Sequence, residues 1–246
     1  MERLHVCLSP DEIERCRPVD FERVVIVDVL RASTTIVAAF ANGATEIWPC
    51  ISVEEALAHR GSSGKPLRIG ERKAETVRGC DLGNSPASIT RDLVDGRDIV
   101  MTTSNGTAAL AAASRFAKRQ IGGLVNATAV ANDIGSFGQN TLVLCAGTDG
   151  AFSLDDAFGA GAIASSIVGA TPDVDQTDAA MAARLMFEAV AENLPMALRA
   201  TRHGQRLEQM GHSNDVDFAA NLDAFAVVPD FVDGRLVDTM TSTRIR

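Results

Sequence analysis

Short apolar runs of strand length recur along the chain, and alanine-rich stretches with helical periodicity separate them. This order is typical of an α/β protein in which helices cover both faces of a largely parallel sheet. The predicted strands cover residues 4–8, 24–29, 46–50, 67–69, 99–102, 123–126, 142–146 and 224–228. The predicted helices cover residues 34–41, 53–58, 107–118, 127–137, 155–166, 179–192 and 195–210.

Composition places the chain among ordinary globular proteins. Of its 246 residues, 46% are hydrophobic and 22% are charged, and no segment rich in Pro, Gly or Ser divides it. One large α/β domain or two closely packed ones both fit this length. The formal net charge is −9 at pH 7. An acidic surface repels a phosphate backbone, so nucleic acid is not expected as a partner.

The sequence shows neither a targeting segment nor a membrane segment. Residues 1–7, MERLHVC, lack the basic flank and apolar core of a signal peptide. No apolar run reaches the roughly 20 residues that span a bilayer. We therefore expect a cytoplasmic protein without membrane contact.

The cysteines show no metal or disulfide motif. They are odd in number and scattered, without a CxxC pair or a nearby His at zinc spacing. We interpret all five as reduced, mostly buried thiols: Cys7, Cys16, Cys50, Cys80 and Cys145.

Three predicted strands end in small polar or charged residues just before a helix. Segment 28–35, DVLRASTT, supplies a carboxylate, a guanidinium and three hydroxyls. Segments 102–107, TTSNGT, and 145–156, CAGTDGAFSLDD, have the same character. Ligands of open α/β sheets bind at the carboxyl ends of strands, beside helix N-termini. Together the three segments predict a site for an anionic ligand.

Each segment alone also fits a plain helix N-cap, because Ser, Thr, Asn and Asp cap helices without any ligand. Arg31 is the stronger indication. A guanidinium that directly follows an apolar strand needs a partner, and its fork suits phosphate, sulfonate or carboxylate.

Residues 70–92 form the least regular part of the chain, and long irregular segments inside compact domains are often functional. Glu71 follows a short apolar strand and precedes Arg72 and Lys73. It could bind a metal while the two cations face an anionic substrate, although a solvated charged turn fits the same residues. Oxygen donors on separate strand ends are how Mg²⁺ is commonly held, with waters and substrate phosphate completing its shell. The donors of this kind are Asp28, Glu71, Asp155 and Asp156.

Several familiar motifs are missing from the sequence. It has no G-x-G-x-x-G after a strand, no G-x-S-x-G and no H-E-x-x-H. Asp28 lacks the second Asp that aspartyl-phosphate phosphatases carry two residues later, where this chain has Leu30. His203 and His212 lie near Arg202 and Arg206 in sequence and are candidates only to support other site residues.

A set of ordered motifs resembles one family, the 2-phosphosulfolactate phosphatases of coenzyme M biosynthesis. The motifs are DVLRASTT at 28–35, GER at 70–72, DLGNSP at 81–86, TSNGT at 103–107, CAGT at 145–148 and SLDD at 153–156. The family usually has Glu before Asp where this chain has Asp155 and Asp156.

The resemblance implies a three-layer α/β/α fold with a mixed, largely parallel sheet. It implies one domain over residues 1–246, or two closely packed subdomains within it. The implied activity is Mg²⁺-dependent hydrolysis of (R)-2-phospho-3-sulfolactate to 3-sulfolactate and phosphate. The direction of the reaction and the sulfonate come from the resemblance alone.

The residues and the resemblance together predict a set of site residues. The predicted catalytic residues are Asp28, Arg31, Glu71 and Arg72. The predicted substrate-binding residues are Ser33, Thr34, Asn84, Ser85, Ser104, Asn105, Gly106, Thr107, Gly147 and Thr148. The predicted Mg²⁺ ligands are Asp28, Glu71, Asp155 and Asp156.

Two other functions fit the same residues. One is a phosphatase for another small phosphorylated hydroxy acid, and the other is a non-catalytic binder of a phosphorylated metabolite. Four carboxylates argue against a pure anion binder, since buried negative charge without a metal does not help to hold an anion. The small-residue helices at 107–113 and 159–164 suit a homodimer, although packing on the sheet explains them equally well.

Overall fold

The structure is a computed structural model and describes residues 3–135 and 139–239. Within them, eleven strands form one sheet. The strands are β1 Arg3–Cys7, β2 Arg23–Val27, β3 Glu46–Pro49, β4 Leu67–Arg72, β5 Glu75–Thr76, β6 Asp98–Thr102, β7 Lys118–Gly122, β8 Thr141–Cys145, β9 Asp175–Gln176, β10 Pro229–Val232 and β11 Arg235–Asp238.

The sheet consists of two parallel blocks joined by a hairpin. One block is β4-β6-β3, with β5 antiparallel at its edge, and the other is β7-β2-β8-β1-β9. The hairpin β10–β11 lies between β3 and β7 and is antiparallel to both. The prediction of a mixed, largely parallel sheet is therefore confirmed.

Helices cover both faces of this sheet, which confirms the three-layer α/β/α prediction. They are α1 Ala32–Ala41, α2 Val53–Ala58, α3 Arg91–Val94, α4 Gly106–Ala112, α5 Ala127–Gly135, α6 Leu154–Ala170, α7 Asp178–Glu188, α8 Leu194–Ala200, α9 Arg202–Gln209 and α10 Ser213–Ala219. Side chains of β2 alternate between two apolar clusters, because successive strand residues point to opposite faces. Val25 and Val27 belong to the cluster that also contains side chains of the helices from α5 through α10. Val24 and Ile26 belong to the other cluster, with side chains of α1 and α4.

Two predicted strands are wrong. Residues 124–126 form a short 3-10 helix in which the Asn126 side chain accepts from the Gly123 amide at 3.0 Å, and the strand precedes it as β7. Residues 224–228 form no strand. Their Phe225 amide donates at 2.9 Å to the Val125 carbonyl of the 3-10 helix 124–126 instead of to a neighbouring strand. The following segment, 229–232, is the strand.

Helix ends also differ from the prediction. The predicted helix 195–210 is two helices, α8 and α9, separated at Thr201. The Thr201 hydroxyl accepts from the Gly204 amide at 2.9 Å and so begins a new helix. Predicted helix 107–118 ends at Ala112, and its last residue begins β7. Residues 136 and 137 of predicted helix 127–137 lie outside the described residues.

None of the described helices combines the length and the apolar composition that crossing a bilayer requires.

Candidate active site

A polar pocket is lined by residues at or just after the carboxyl ends of four strands, β2, β4, β6 and β8. Both parallel blocks of the sheet contribute to it. Its lining residues are Asp28, Leu30, Arg31, Glu71, Lys73, Ala74, Asn84, Ser104, Asn105, Thr148, Asp149, His203 and Arg206. We call this the carboxyl-end pocket.

Asp28 lies where β2 turns into α1, and the turn itself holds its carboxylate. The Asp28 amide donates to Ser33 Oγ at 2.9 Å, and Asp28 Oδ1 accepts from the Ala32 amide at 3.0 Å. The pKa of Asp28 is raised to about 7, mainly by burial and also by the nearby carboxylates of Asp155 and Glu71. Negative charge is therefore concentrated at this end of β2.

Glu71 lies at the end of β4 and stabilises the next turn. Its Oε1 accepts from the Ala74 amide at 2.6 Å and from Ser104 Oγ at 3.2 Å. Lys73 and Ala74 both have positive φ, 55° and 68°, a conformation that costs energy in residues with a Cβ. The Glu71 carboxylate compensates for part of that cost and places Lys73 at the pocket rim.

Asp155 and Asp156 differ although they are adjacent and both buried. Asp156 accepts from the Val29 amide through Oδ1 and from the Gly147 amide through Oδ2, both at 2.8 Å. Asp155 Oδ1 accepts from Ser153 Oγ at 2.6 Å, while its buried Oδ2 accepts no hydrogen bond. Asp156 therefore joins two loops, and Asp155 retains an oxygen for a ligand.

Arg31 is buried at the pocket wall and held by residues distant in sequence. Its Nη1 donates to Asp215 Oδ2 at 2.8 Å, and its Nη2 donates to the Ala74 carbonyl at 3.3 Å. Asp215 Oδ1 in turn accepts from Ser85 Oγ at 2.5 Å. The Arg31 guanidinium is thus fixed in position before any substrate arrives.

Helix α9 adds two groups to the pocket. His203 Nδ1 lies 3.8 Å from Asp155 Oδ2, and burial lowers the pKa of His203 below its ordinary value. Arg206 Nη2 donates to the Lys73 carbonyl at 3.2 Å. The sequence analysis named Lys73 only as a cation that could face an anionic substrate and His203 only as a supporting residue, and it gave Arg206 no role in the site.

Arg72 does not line the carboxyl-end pocket. Its guanidinium donates to the Ile51 carbonyl at 3.2 Å and to Thr102 Oγ1 at 2.9 Å. Neighbouring strand residues point to opposite faces, so Glu71 and Arg72 cannot both face the same pocket.

Six predicted substrate-binding residues shape the pocket from behind rather than line it: Ser33, Thr34, Ser85, Gly106, Thr107 and Gly147. Thr34 and Thr107 donate their hydroxyls to backbone carbonyls. A Cβ on Gly106 would lie 2.9 Å from Asp28 Oδ2, so only glycine allows α4 to approach that carboxylate. The predicted residues that do line it are Asn84, Ser104, Asn105 and Thr148, together with Asp28, Arg31 and Glu71.

The donor set of this pocket fits Mg²⁺. Asp28 and Glu71 line the pocket and supply carboxylate oxygens, whereas the predicted ligands Asp155 and Asp156 do not line it. Asp155 Oδ2 lies behind the pocket residue His203, and this oxygen and Asn84 Oδ1 are buried without hydrogen-bond partners. Within residues 3–135 and 139–239, Asp28, Glu71 and Asp155 do not bring three oxygens within 4.8 Å of one another. Mg²⁺ usually takes one or two carboxylates and completes its shell with waters and substrate phosphate, and such a site needs no tighter cluster.

Comparison with known proteins gives a consistent result. The family model for 2-phosphosulpholactate phosphatase matches residues 7–234. A probable 2-phosphosulfolactate phosphatase of Deinococcus radiodurans is 40% identical over 234 residues, 94% of each chain. Proteins of the same description from Symbiobacterium thermophilum and Caldanaerobacter subterraneus are 38% and 35% identical over 215 residues, which is 87% of this chain and 92% and 89% of theirs.

This match extends over nearly all of the chain and includes every motif from which the resemblance was inferred. It confirms the family and the enzyme class predicted from the sequence, while the roles of single site residues stay predictions. The chain belongs to the 2-phosphosulfolactate phosphatase family.

Proposed function

We propose that this chain hydrolyses (R)-2-phospho-3-sulfolactate to 3-sulfolactate and phosphate with the help of Mg²⁺. One observation carries the proposal: a single pocket combines the carboxylates of Asp28 and Glu71 with a buried, fixed guanidinium and two rim cations, and the unpartnered Oδ2 of Asp155 lies 3.8 Å from the pocket residue His203. Carboxylates can hold a divalent cation, whereas the guanidinium and the rim cations suit an anionic ester. Family membership supports the identity of that ester.

Asp28 and Asp155 would hold Mg²⁺, with Glu71 beside them. When bound, Mg²⁺ neutralises charge on the phosphoryl oxygens and orients water. Arg31 donates to a phosphoryl oxygen, and its pairing with Asp215 keeps it oriented for that contact. His203 lines the pocket and accepts a proton from the attacking water as the new P–O bond forms, while the ester P–O bond breaks and the released alkoxide takes a proton from solvent.

The substrate also carries a sulfonate and a carboxylate, so it needs further cations. Lys73 and Arg206 line the same pocket and are linked through the Lys73 carbonyl. We assign them to the sulfonate and carboxylate, because both side chains reach the pocket from its rim. Asn84, with its unpartnered Oδ1, lies in the same wall.

Phosphate release from a panel of phosphoesters tests this function. The panel includes phosphosulfolactate and phospholactate, each measured with Mg²⁺ and then with EDTA. We expect turnover of phosphosulfolactate that EDTA abolishes and added Mg²⁺ restores, with phospholactate a poor substrate.

Other outcomes correct different parts of the proposal. Equal turnover of phospholactate would mean that the pocket recognises the carboxylate and not the sulfonate. The substrate would then be another phosphorylated hydroxy acid. Turnover unaffected by EDTA would exclude the role of Mg²⁺. Tight binding without phosphate release would make the chain a metabolite binder. The cytoplasmic location and the homodimer stay predictions.

A further inference from the structure

A second group of possible metal ligands lies outside the carboxyl-end pocket. His5 and Cys7 belong to β1, two residues apart and hence on the same face of the strand. Cys16 follows the short 3-10 helix Pro10–Arg15 and meets them there. Within the part of the chain that the structure describes, only these three His, Cys, Asp or Glu residues bring three ligand atoms within 4.8 Å of one another.

The distance between the two sulfurs is close to that between two cysteine ligands of one zinc ion. Cys7 Sγ and Cys16 Sγ lie 3.6 Å apart, and both cysteines are buried and free. In a tetrahedral zinc site with Zn–S bonds of about 2.3 Å, two sulfurs lie roughly 3.8 Å apart. One Zn²⁺ could therefore join the two thiolates with little movement of either side chain.

His5 has a hydrogen-bond partner of the kind that metal-bound histidines usually have. Its Nδ1 forms a hydrogen bond with Thr177 Oγ1 at 2.9 Å, and its ring stacks on Phe21 with centroids 5.9 Å apart. Metal-ligating histidines commonly bind an oxygen through the nitrogen that does not face the metal. The hydrogen bond to Thr177 leaves Nε2 for the metal.

We propose that Nε2 of His5 and the thiolates of Cys7 and Cys16 bind one Zn²⁺, with water in the fourth position. Two thiolates and an imidazole are soft and borderline donors, which suit zinc better than Mg²⁺ or Ca²⁺. The sequence analysis missed this site because the His-x-Cys pair and Cys16 match no standard zinc spacing.

The bound ion would fix one wall of a groove next to the carboxyl-end pocket. Pro10 and Ile13, from the 3-10 helix that Cys16 ends, line this groove, and Ser104 and Asn105 line both the groove and the pocket. Arg115 Nη2 already donates to the Cys16 carbonyl at 2.9 Å. Zinc would add a covalent link from this wall to β1 and stabilise the fold without touching substrate.

Cobalt spectroscopy tests the site independently of activity. Purified full-length protein, freed of metal and kept reduced with a phosphine, is titrated anaerobically with Co²⁺. We expect one equivalent to produce thiolate-to-cobalt charge-transfer absorption and the visible bands of tetrahedral cobalt, and we expect added Zn²⁺ to remove both. Cobalt bound by the carboxylates of the other pocket gives no thiolate absorption, so the two sites are distinguished.

Two variants complete the test. Cys16→Ser should reduce the charge-transfer absorption at least tenfold, whereas Cys80→Ser should leave it unchanged, since Cys80 lies against Gly70 instead. Zinc at a hundredfold excess over its dissociation constant should raise the melting temperature of the wild type by about 5 °C. Absence of thiolate absorption in the wild type, or its full retention in a folded Cys16→Ser protein, would overturn the proposal.

Discussion

The two ends of strand β2 both carry buried charge, but the protein balances it in different ways. At the amino end, Arg23 is fully buried and donates to Asp133 Oδ2 at 2.6 Å, and Gln120 donates to the same oxygen at 2.9 Å. These donors hold the pKa of Asp133 below its ordinary value despite burial. At the carboxyl end, burial raises the pKa of both Asp28 and Asp155 above their ordinary values.

The difference separates a charge cluster that is balanced within the chain from one that is not. Asp133 has its partners within the chain, so its end of β2 is complete without a ligand. The carboxyl-end pocket has more carboxylate than nearby protein donors neutralise, and a cation from solution would stabilise it. Substitutions at the two ends should consequently affect different properties.

The largest effect should come from Asp28→Asn, which removes a charge from the incomplete end. We expect kcat/KM for phosphosulfolactate to fall by about 100- to 1,000-fold, since stabilisation of transition-state charge is lost. The folded structure should be retained, because Asn can still accept from the Ala32 amide. Steady-state phosphate release measures this loss, and activity within threefold of the wild type would exclude Asp28 from the site.

Asp133→Asn should have the opposite effect, a large loss of stability with little change in kcat. It removes the carboxylate charge that Arg23 pairs with, and breaking a buried pair in this way costs about 3–5 kcal/mol of unfolding free energy. Urea denaturation at 25 °C measures that cost. The protein that remains folded should keep its kcat. A fall in kcat with stability unchanged would show that the amino end is not purely structural.

The pH dependence of stability should distinguish the two ends in the absence of metal. Because the folded pKa of Asp28, about 7, lies above the ordinary value of 3.8, the folded protein holds a proton that the unfolded chain releases. This contribution to stability is complete below about pH 4 and is lost as pH rises through 7.

Asp28→Asn should therefore be more stable than metal-free wild type at pH 8, by a difference on the order of 2–4 kcal/mol, and nearly equal to it at pH 4. Saturating Mg²⁺ should reduce the difference at pH 8 by stabilising the wild type. Denaturation curves in EDTA and in Mg²⁺ at both pH values measure it. A difference that does not change with pH would contradict the raised pKa.

The smallest effect should come from the pocket rim. Lys73 is exposed, so Lys73→Ala should raise KM by about tenfold with kcat little changed, and less so at high salt. Arg78→Ala is the matched control, since Arg78 is an exposed cation nearby in the chain that does not line the pocket. Equal effects of the two substitutions would point to general charge attraction instead of a specific contact.

Local sequence pattern was enough to predict which strand ends meet at the carboxyl-end pocket. Asp28, Glu71 and Ser104 each lie at the end of an apolar run, and strand ends are positions that a sequence reveals. Deciding which of two adjacent residues points toward the pocket was harder, because the direction of a side chain depends on its exact position along the helix or strand. Asp155 and Asp156 differ by about 100° around helix α6, so one has an unpartnered buried oxygen and the other accepts from two backbone amides.

Contacts distant in sequence could not be predicted in this way. Asp215 reaches Arg31 across 184 positions, and Arg206 reaches Lys73 across 133. In the fold, the two-residue strands β5 and β9 are too short to give a pattern. The hairpin β10–β11 did have a signal, since Asp233 and Gly234 form the Asp-Gly turn with positive φ at both residues that favours tight hairpins.

That hairpin also determines when the sheet is completed. Its strands, Pro229–Val232 and Arg235–Asp238, follow every pocket residue in the chain, yet they alone connect the two parallel blocks. A nascent chain released before residue 229 would carry all of the pocket side chains but leave the edges of β3 and β7 open to aggregation. The complete sheet can therefore form only after this late segment has been synthesised.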